Sequence, residues 1–319
     1  MSNILVTGGC GYIGSALIPR LLDNDRVDAV RVLDSLTSGS PHALVGALSA
    51  GELEFCEGDV RNEADVSSAV DGVDAVIHLA GITGAATTHD RADETFSTNY
   101  DGTTNLLQAA VDAEVERFVF ASSCNVYGRA TAEDLSESAE PEPINPYAET
   151  KLEAERFIRE TVEDESMTAT SLRMSTVYGS APGIRFNLVV NHFVFRALTG
   201  RSLTVYGDGT NWRPFIHVAD AASAFLEAAT EPAAWDEGVY NVGRPEGNWR
   251  IAALAELIQE ELGGCDIEYL DDERPGPSYN VSFERLATTG CRTEWTVEAG
   301  INQLADKFRG AEPLRGFSR

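Results

Sequence analysis

Two hydrophobic patterns alternate along the first half of the chain. Ile4 to Val6, Ala29 to Leu33, Leu53 to Cys56, Ala75 to Leu79, Phe118 to Ser122 and Thr168 to Met174 are short runs dominated by apolar and small residues, as expected of strands buried on both faces. Between them apolar residues recur every three or four positions, as in Ile13, Leu17, Ile18, Leu21 and Leu22, and again over 62–70 and 90–113. That is the spacing of helices with one buried face. The alternation predicts an α/β fold, a parallel sheet covered by helices and joined by right-handed crossovers. Ligands of such sheets bind at the C-terminal ends of the strands, so the residues after each run carry the information.

The first run leads into Gly8-Gly9-Cys10-Gly11-Tyr12-Ile13-Gly14 and then a helical pattern, the strand, loop and helix of a dinucleotide-binding unit. Gly8 permits the tight turn, Gly11 lets the backbone approach a pyrophosphate, and Gly14 lets the helix lie close to the strand. The amides at the helix start, around Tyr12 and Ile13, meet the phosphate charge. The second run ends in Asp34, 20 residues after Gly14, where an acid binds both ribose hydroxyls of NAD and repels the 2′-phosphate of NADP; Asp34 could instead cap the next turn. After the third run, Asp59 could accept from the adenine amino group while Val60 packs on the ring, or Asp59 could cap the following helix. Leu79-Ala80-Gly81 leaves room for a cofactor beside the backbone. His78 precedes the end of its strand and reads as a core histidine. Asn99, inside the pattern over 90–113, either fixes active-site backbone or faces solvent.

The fifth run leads into Ser122-Ser123-Cys124-Asn125, a proline-rich loop, and then Asn145-Pro146-Tyr147-Ala148-Glu149-Thr150-Lys151. Asparagine then proline is a helix start, and the helix places Tyr147 and Lys151 on one face. A free phenol titrates too high to act as a base at neutral pH, but an adjacent ammonium and a cationic nicotinamide favour the phenolate. Lys151 can also donate to the cofactor ribose, and Ser123 can bond the same substrate hydroxyl and pass its proton. The other reading of Lys151 is an exposed side chain pairing with Glu155.

Charge narrows the partners. Acids number 51 against 24 bases, for a net charge of -27, and only Lys151 and Lys307 among the bases are lysines. This disfavours nucleic acid and suits a halophilic, salt-rich cytoplasm in which screening removes the self-repulsion. No apolar run approaches a membrane span, and the early first strand leaves no room for a targeting segment, which together predict a cytoplasmic protein. Cys10, Cys56, Cys124, Cys265 and Cys291 show no metal-ligand spacing, so no metal is expected and they read as packing residues.

Together Thr7 to Gly14, Asp34, Asp59-Val60, Ser122-Ser123, Val126-Tyr127-Gly128, Tyr147 to Lys151, Asn211 to Asp220, Tyr240 to Gly243 and Arg274-Pro275-Gly276 resemble the extended short-chain dehydrogenase/reductases, the nucleotide-sugar epimerase and dehydratase family. The resemblance implies a Rossmann-type doubly wound sheet over residues 1–176 that holds NAD, with segments near 212–243 returning to it. It also implies a smaller C-terminal α/β unit over 177–319 that holds a nucleoside diphosphate sugar, and a homodimer built through helices near 90–113 and 146–163. Arg213 and Arg274 match positions that clamp the diphosphate, a role suited to forked guanidinium groups. Asn187 is a weaker candidate for the same phosphate. Leu203 to Tyr206 would run beside the nucleobase, and Arg185 and His217 are expected to be structural. Thr176 stands where galactose epimerases hold an asparagine, and the stretch around it looks more like that of nucleotide hexuronate epimerases. Thr83 occupies a position that is often lysine in galactose epimerases. Dehydratases of the family carry an Asp-Glu pair after the serine; here the pair is Cys124-Asn125, which cannot supply that acid and base near neutral pH. The expected reaction is therefore NAD-dependent 4-epimerisation, of a UDP-hexose, with 4-ketoreduction, dehydrogenation, 4,6-dehydration or inactive NAD binding as alternatives.

Overall fold

The computed structural model describes residues 2–47, 52–84, 88–129, 134–271 and 277–310. Six strands follow one another in the first half: β1 (Ser2–Thr7), β2 (Val27–Asp34), β3 (Leu53–Glu57), β4 (Ala75–His78), β5 (Arg117–Ser123) and β6 (Thr168–Met174). The next three, β7 (Thr176–Tyr178), β8 (Leu203–Tyr206) and β9 (Trp212–His217), lie outside this sheet, and β10 (Val239–Val242) returns to it. The seven strands are parallel, in the order β10-β6-β5-β4-β1-β2-β3. From β1 the chain builds outward to β3, then restarts at β4 on the other side of β1. The crevice where the order reverses is where such sheets bind ligands.

The helices are α1 (Tyr12–Leu22), α2 (Glu63–Val70), α3 (Ala92–Phe96), α4 (Gly102–Asp112), α5 (Pro146–Val162), α6 (Val189–Leu198), α7 (Val218–Thr230), α8 (Ile251–Leu262), α9 (Glu284–Thr288) and α10 (Val297–Gly310). Side chains of a strand alternate between faces. Ile4 and Val6 join Leu17 and Ile18 of α1 and Phe225 of α7, whereas Leu5 packs with Val66 of α2, Leu106 of α4 and Ile158 of α5. Both faces are thus apolar, which is why the strands lack polar alternation.

The pattern over 90–113 is not one helix. A π-helical turn, Ser97–Asp101, separates α3 from α4, and Asn99 within it is fully buried. Turns of this kind are frequent at functional sites. At α2 the cap is Asn62, which accepts from the amides of Ala64 and Asp65. Asp59 therefore does not cap that helix; its carboxylate is held by Arg61, which pulls its pKa down.

The C-terminal part has its own core, in which Val194 of α6, Leu203 and Val205 of β8, Leu254 and Ile258 of α8, and Leu304 of α10 are buried together. There β9 lies between β7 and a short antiparallel strand, β11 (Asn248–Arg250), and β8 pairs in parallel with β12 (Ile267–Leu270). Leu203 and Val205 face inward while Tyr206 is exposed, so only the outer side of β8 can meet a ligand. His217 is structural: its Nδ1 accepts from Ala219 at the start of α7 and its ring stacks on Trp295 at 4.1 Å. Among the described residues no helix is long and apolar enough to cross a membrane, and no group of His, Cys, Asp and Glu is arranged to hold a metal.

Candidate active site

Gly8 has a φ of +71°, and a Cβ there would stand 2.6 Å from the Ala80 amide nitrogen. Only glycine fits. A Cβ on Gly14 would meet the backbone of Gly9 at 2.5–2.7 Å, so this glycine lets the helix approach the loop rather than the strand. Gly11 begins α1 without any side-chain cap, which leaves the helix-start amides available to an anion. Asp34 is buried, and its two oxygens accept from the amides of Cys10 (2.9 Å) and Leu36 (2.8 Å). It does cap the turn, yet each oxygen keeps a lone pair for a hydroxyl.

The Tyr12 hydroxyl donates to the Gly179 carbonyl at 2.5 Å and accepts from Asn191 Nδ2 at 3.0 Å. The glycine loop is thereby tied to the segment between β7 and α6. Ile13 is half-buried against the same core.

At the switch point His78 ties β4 to β1 and to α4. Its Nδ1 bonds Thr7 Oγ1 of β1 at 2.6 Å and its Nε2 bonds Thr103 Oγ1 of α4 at 2.9 Å, and burial drives its pKa down to about 3. It is a neutral strut. Just beyond, Asn99 accepts from the Ile82 amide at 2.7 Å and donates to the Ile82 carbonyl at 2.9 Å. Val60 is buried against Gly102, and Leu79, Ala80 and Gly81 remain half-buried along the crevice. A Cβ on Gly81 would lie 3.0 Å from Asn99 Oδ1 and 3.5 Å from Lys151 Nζ, so the asparagine, the lysine and the loop after β4 converge.

Asn145 caps α5 by accepting from the Ala148 amide at 2.9 Å, with Pro146 in the first turn. Lys151 is only 3% exposed, and its Nζ lies 4.6 Å from the centre of the Phe120 ring and 6.0 Å from that of Tyr147. The reading of an exposed lysine paired with Glu155 is therefore wrong: Glu155 is itself buried and binds Arg173. Burial pulls the Lys151 pKa down to about 8, against the opposing charge of Glu155. The pKa of Tyr147 is pushed up by burial and drawn back by the neighbouring Ser123 hydroxyl and by the charge of Arg185. The cation acting on the phenol in this structure is thus Arg185, which the sequence had suggested to be structural. Arg185 is half-buried and has no carboxylate partner among the described residues; its guanidinium donates to Thr83 Oγ1 and to Asn187 Oδ1.

Ser123 Oγ accepts from both the backbone amide and the side-chain amide of Asn125, at 3.2 Å each. Both acceptor positions of this hydroxyl are thereby taken, and its proton is left to donate. Cys124 is buried, donates to the Arg173 carbonyl at 3.1 Å, and has a thiol pKa pushed up to about 12 by burial.

On the opposite wall, Thr176 begins β7 and Arg213 lies on β9, with its guanidinium 4.9 Å from the centre of the Tyr279 ring. Buried Tyr279 donates to Asn125 Oδ1 at 3.2 Å and so links Arg213 to the serine. Tyr279 did not stand out in the sequence; its one signal is its position just after Arg274-Pro275-Gly276. Arg274 itself lies outside the described residues.

Residues 4–243 match the NAD dependent epimerase/dehydratase family. The chain belongs to it. Relatives of this family member include the low-salt glycan biosynthesis protein Agl12 of Haloferax volcanii, 33% identical with 97% of this chain and 99% of that protein aligned. The UDP-glucose 4-epimerase of Bacillus subtilis is 30% identical over 96% of each chain. The fold superposes on dTDP-glucose 4,6-dehydratase DesIV from Streptomyces venezuelae, solved with NAD and TYD, with a TM-score of 0.86, 28% identity and 97% of each chain covered. The family's dinucleotide fits what the crevice offers: uncapped helix-start amides, a glycine turn that a Cβ would fill, and an acid with spare lone pairs.

Proposed function

We propose that this family member inverts C4 of a nucleotide sugar, a UDP-hexose, through a transient 4-keto sugar. The observation that carries the reading is the pairing of a complete Ser123, Tyr147 and Lys151 set with two following residues unable to eliminate water. The Cys124 thiol stays protonated and bonded to backbone, and Asn125 is an amide committed to Ser123 and Tyr279. Bound in the crevice, NAD supplies the acceptor and donor of one hydride.

Gly8, Gly11, Tyr12, Ile13 and Gly14 would hold its pyrophosphate, Asp34 its ribose, and Asp59 and Val60 its adenine, while Leu79, Ala80, Gly81 and Asn99 shape the wall. Tyr147 takes the C4 hydroxyl proton with Ser123 bonded to the same oxygen, and Lys151 supports the phenolate and the cofactor ribose. Arg213, joined by Arg274 and Asn187, holds the diphosphate while the keto sugar turns its other face. Thr176 lines the sugar. Confinement between the two transfers supplies much of the rate, since the ketone must not escape. A homodimer through α4 and α5 belongs to the same reading.

The test is incubation of the purified protein with a panel of nucleotide sugars and no added cofactor, followed by NMR and mass. A C4-inverted product of unchanged mass is expected, abolished in Tyr147→Phe. Loss of one water from the sugar, normal turnover in that variant, or product only with added NADH would each refute the scheme.

A further inference from the structure

Behind the reacting groups lies a buried polar network that the epimerase scheme does not use. The Glu155 carboxylate accepts from Arg173 Nε at 3.1 and 3.2 Å, from Arg173 Nη2 at 2.8 Å, and from the Ser122 hydroxyl. Arg173 Nη1 donates to the Tyr127 hydroxyl at 3.0 Å, and that hydroxyl donates to Asn241 Oδ1 at 2.7 Å. All five residues are at most 5% exposed. The network joins α5 to β5, β6 and β10, and it does so one turn beyond Lys151 on the helix and one residue before Ser123 on the strand. A buried pair of this kind gains little stability over apolar packing, whereas its geometry and charge are well placed to act on the neighbouring site.

We propose that Glu155 is a positioning residue. Through Arg173 and Ser122 it fixes the helix bearing Tyr147 and Lys151 against the strand bearing Ser123, and its charge keeps the Lys151 side chain an ammonium. Four residues apart on one helix face, Glu155 and Lys151 are neighbours, and no carboxylate besides Glu155 contributes to the charge balance at Lys151 among the described residues. The other groups facing the lysine cannot replace it. His78 of β4 is neutral, Phe120 of β5 offers a ring face, Asn99 is an amide, and Tyr147 shares the helix. Arg173 of β6 and Cys124 face Glu155, and Arg185 faces Tyr147. Burial alone would disfavour the ammonium. Glu155 opposes that tendency where the charge is needed.

The inference rests on the epimerase reading only for what the positioning serves; its test needs no sugar. With two lysines in the chain, protein labelled with 13Cε-lysine gives two side-chain signals, and the exposed Lys307 is assigned through Lys307→Arg. Lys151 is expected to titrate well below an ordinary lysine, near 8 from burial and Glu155 alone. In Glu155→Gln the midpoint should fall by about one unit or more, because the carboxylate is gone and Arg173 is left uncompensated. An unchanged midpoint overturns the proposal. Should Glu155→Gln not fold, Glu155→Asp decides: the retained charge holds the midpoint, while the shorter reach lowers turnover about ten- to a hundredfold at little change in KM. Wild-type turnover in Glu155→Asp, or a displaced midpoint, overturns it equally. A chain that inverts no sugar leaves the lysine titration readable, so failure of the epimerase reading is told apart from failure of this one.

Discussion

Arg185 and Tyr147 reach the crevice from opposite walls, and the guanidinium draws down the pKa of a phenol that burial pushes up. Arg185 comes from the loop between β7 and α6, Tyr147 from the first turn of α5. This relationship gives the phenol a cation that the Tyr-x-x-x-Lys spacing does not reveal.

Replacing Arg185 by Gln should raise the Tyr147 pKa. The phenolate then forms only at higher pH, so the acid limb of the turnover profile moves upward, by about one unit for a partly screened charge. Activity at pH 7 falls correspondingly, about tenfold, and recovers as the buffer is made alkaline. A profile that drops evenly at all pH values would assign Arg185 to binding alone.

The sheet, the glycine loop and the start of α5 were legible because each is written in local chemistry: buried runs, glycines that tolerate no Cβ, an Asn-Pro helix start. Arg185 and Tyr279 were not, since what places them is contact between segments more than 100 residues apart, such as Arg185 with Thr83 and Tyr279 with Asn125. Lys151 shows the same limit. Its spacing from Glu155 allowed a surface pair, but Glu155 pairs instead with Arg173 on β6, a partner that the helical spacing does not reveal. The π turn at Asn99, whose side chain makes two bonds to Ile82, is likewise absent from the helical period.

Gly14→Ala tests the cofactor loop. The added methyl meets the Gly9 carbonyl oxygen at 2.5 Å, a backbone contact that cannot yield without moving the turn. The purified variant should carry little NAD, seen by absorbance and by mass after denaturation, and lose about 1–3 kcal/mol of stability. Gly72→Ala has no steric neighbour but a φ of +69°; it should lose about 1 kcal/mol and keep its cofactor. Equal NAD content in the two variants would contradict the assignment.

His78 makes a prediction about acid. Its folded pKa is held near 3 by burial, well below the value in an unfolded chain. Below pH 6.5 the unfolded state therefore binds a proton that the folded state does not, and stability falls as pH drops from 6.5 toward 3. Between pH 7 and pH 5 this one group should remove about 2 kcal/mol. Urea titrations of His78→Gln should show a shallower pH dependence by that amount, on a lower baseline owing to the lost bonds to Thr7 and Thr103. A parallel pH dependence in both proteins would place the titrating group elsewhere, with His217, also held low at about 4, the first alternative to replace.

The net charge of -27 predicts a response to salt whose sign depends on whether attraction or repulsion between surface charges is stronger. Ion pairs on the surface, such as Arg31–Glu54, weaken as salt rises, which is destabilising but small for exposed partners. With 51 acids facing 24 bases, most carboxylates have no cation to pair with, and their mutual repulsion acts against the compact state. Raising salt from about 0.1 M to 1 M shortens the screening length from roughly 10 Å to 3 Å, below the spacing of most surface charges, and so relieves the repulsion, which outweighs the few attractive pairs lost. The melting temperature should therefore climb with KCl by about 5 °C or more over that range. An equal osmolality of sorbitol, which does not screen, serves as the control. A melting temperature that is flat or falling in KCl would mean that the acids are individually paired or hydrated well enough that their repulsion costs the fold nothing.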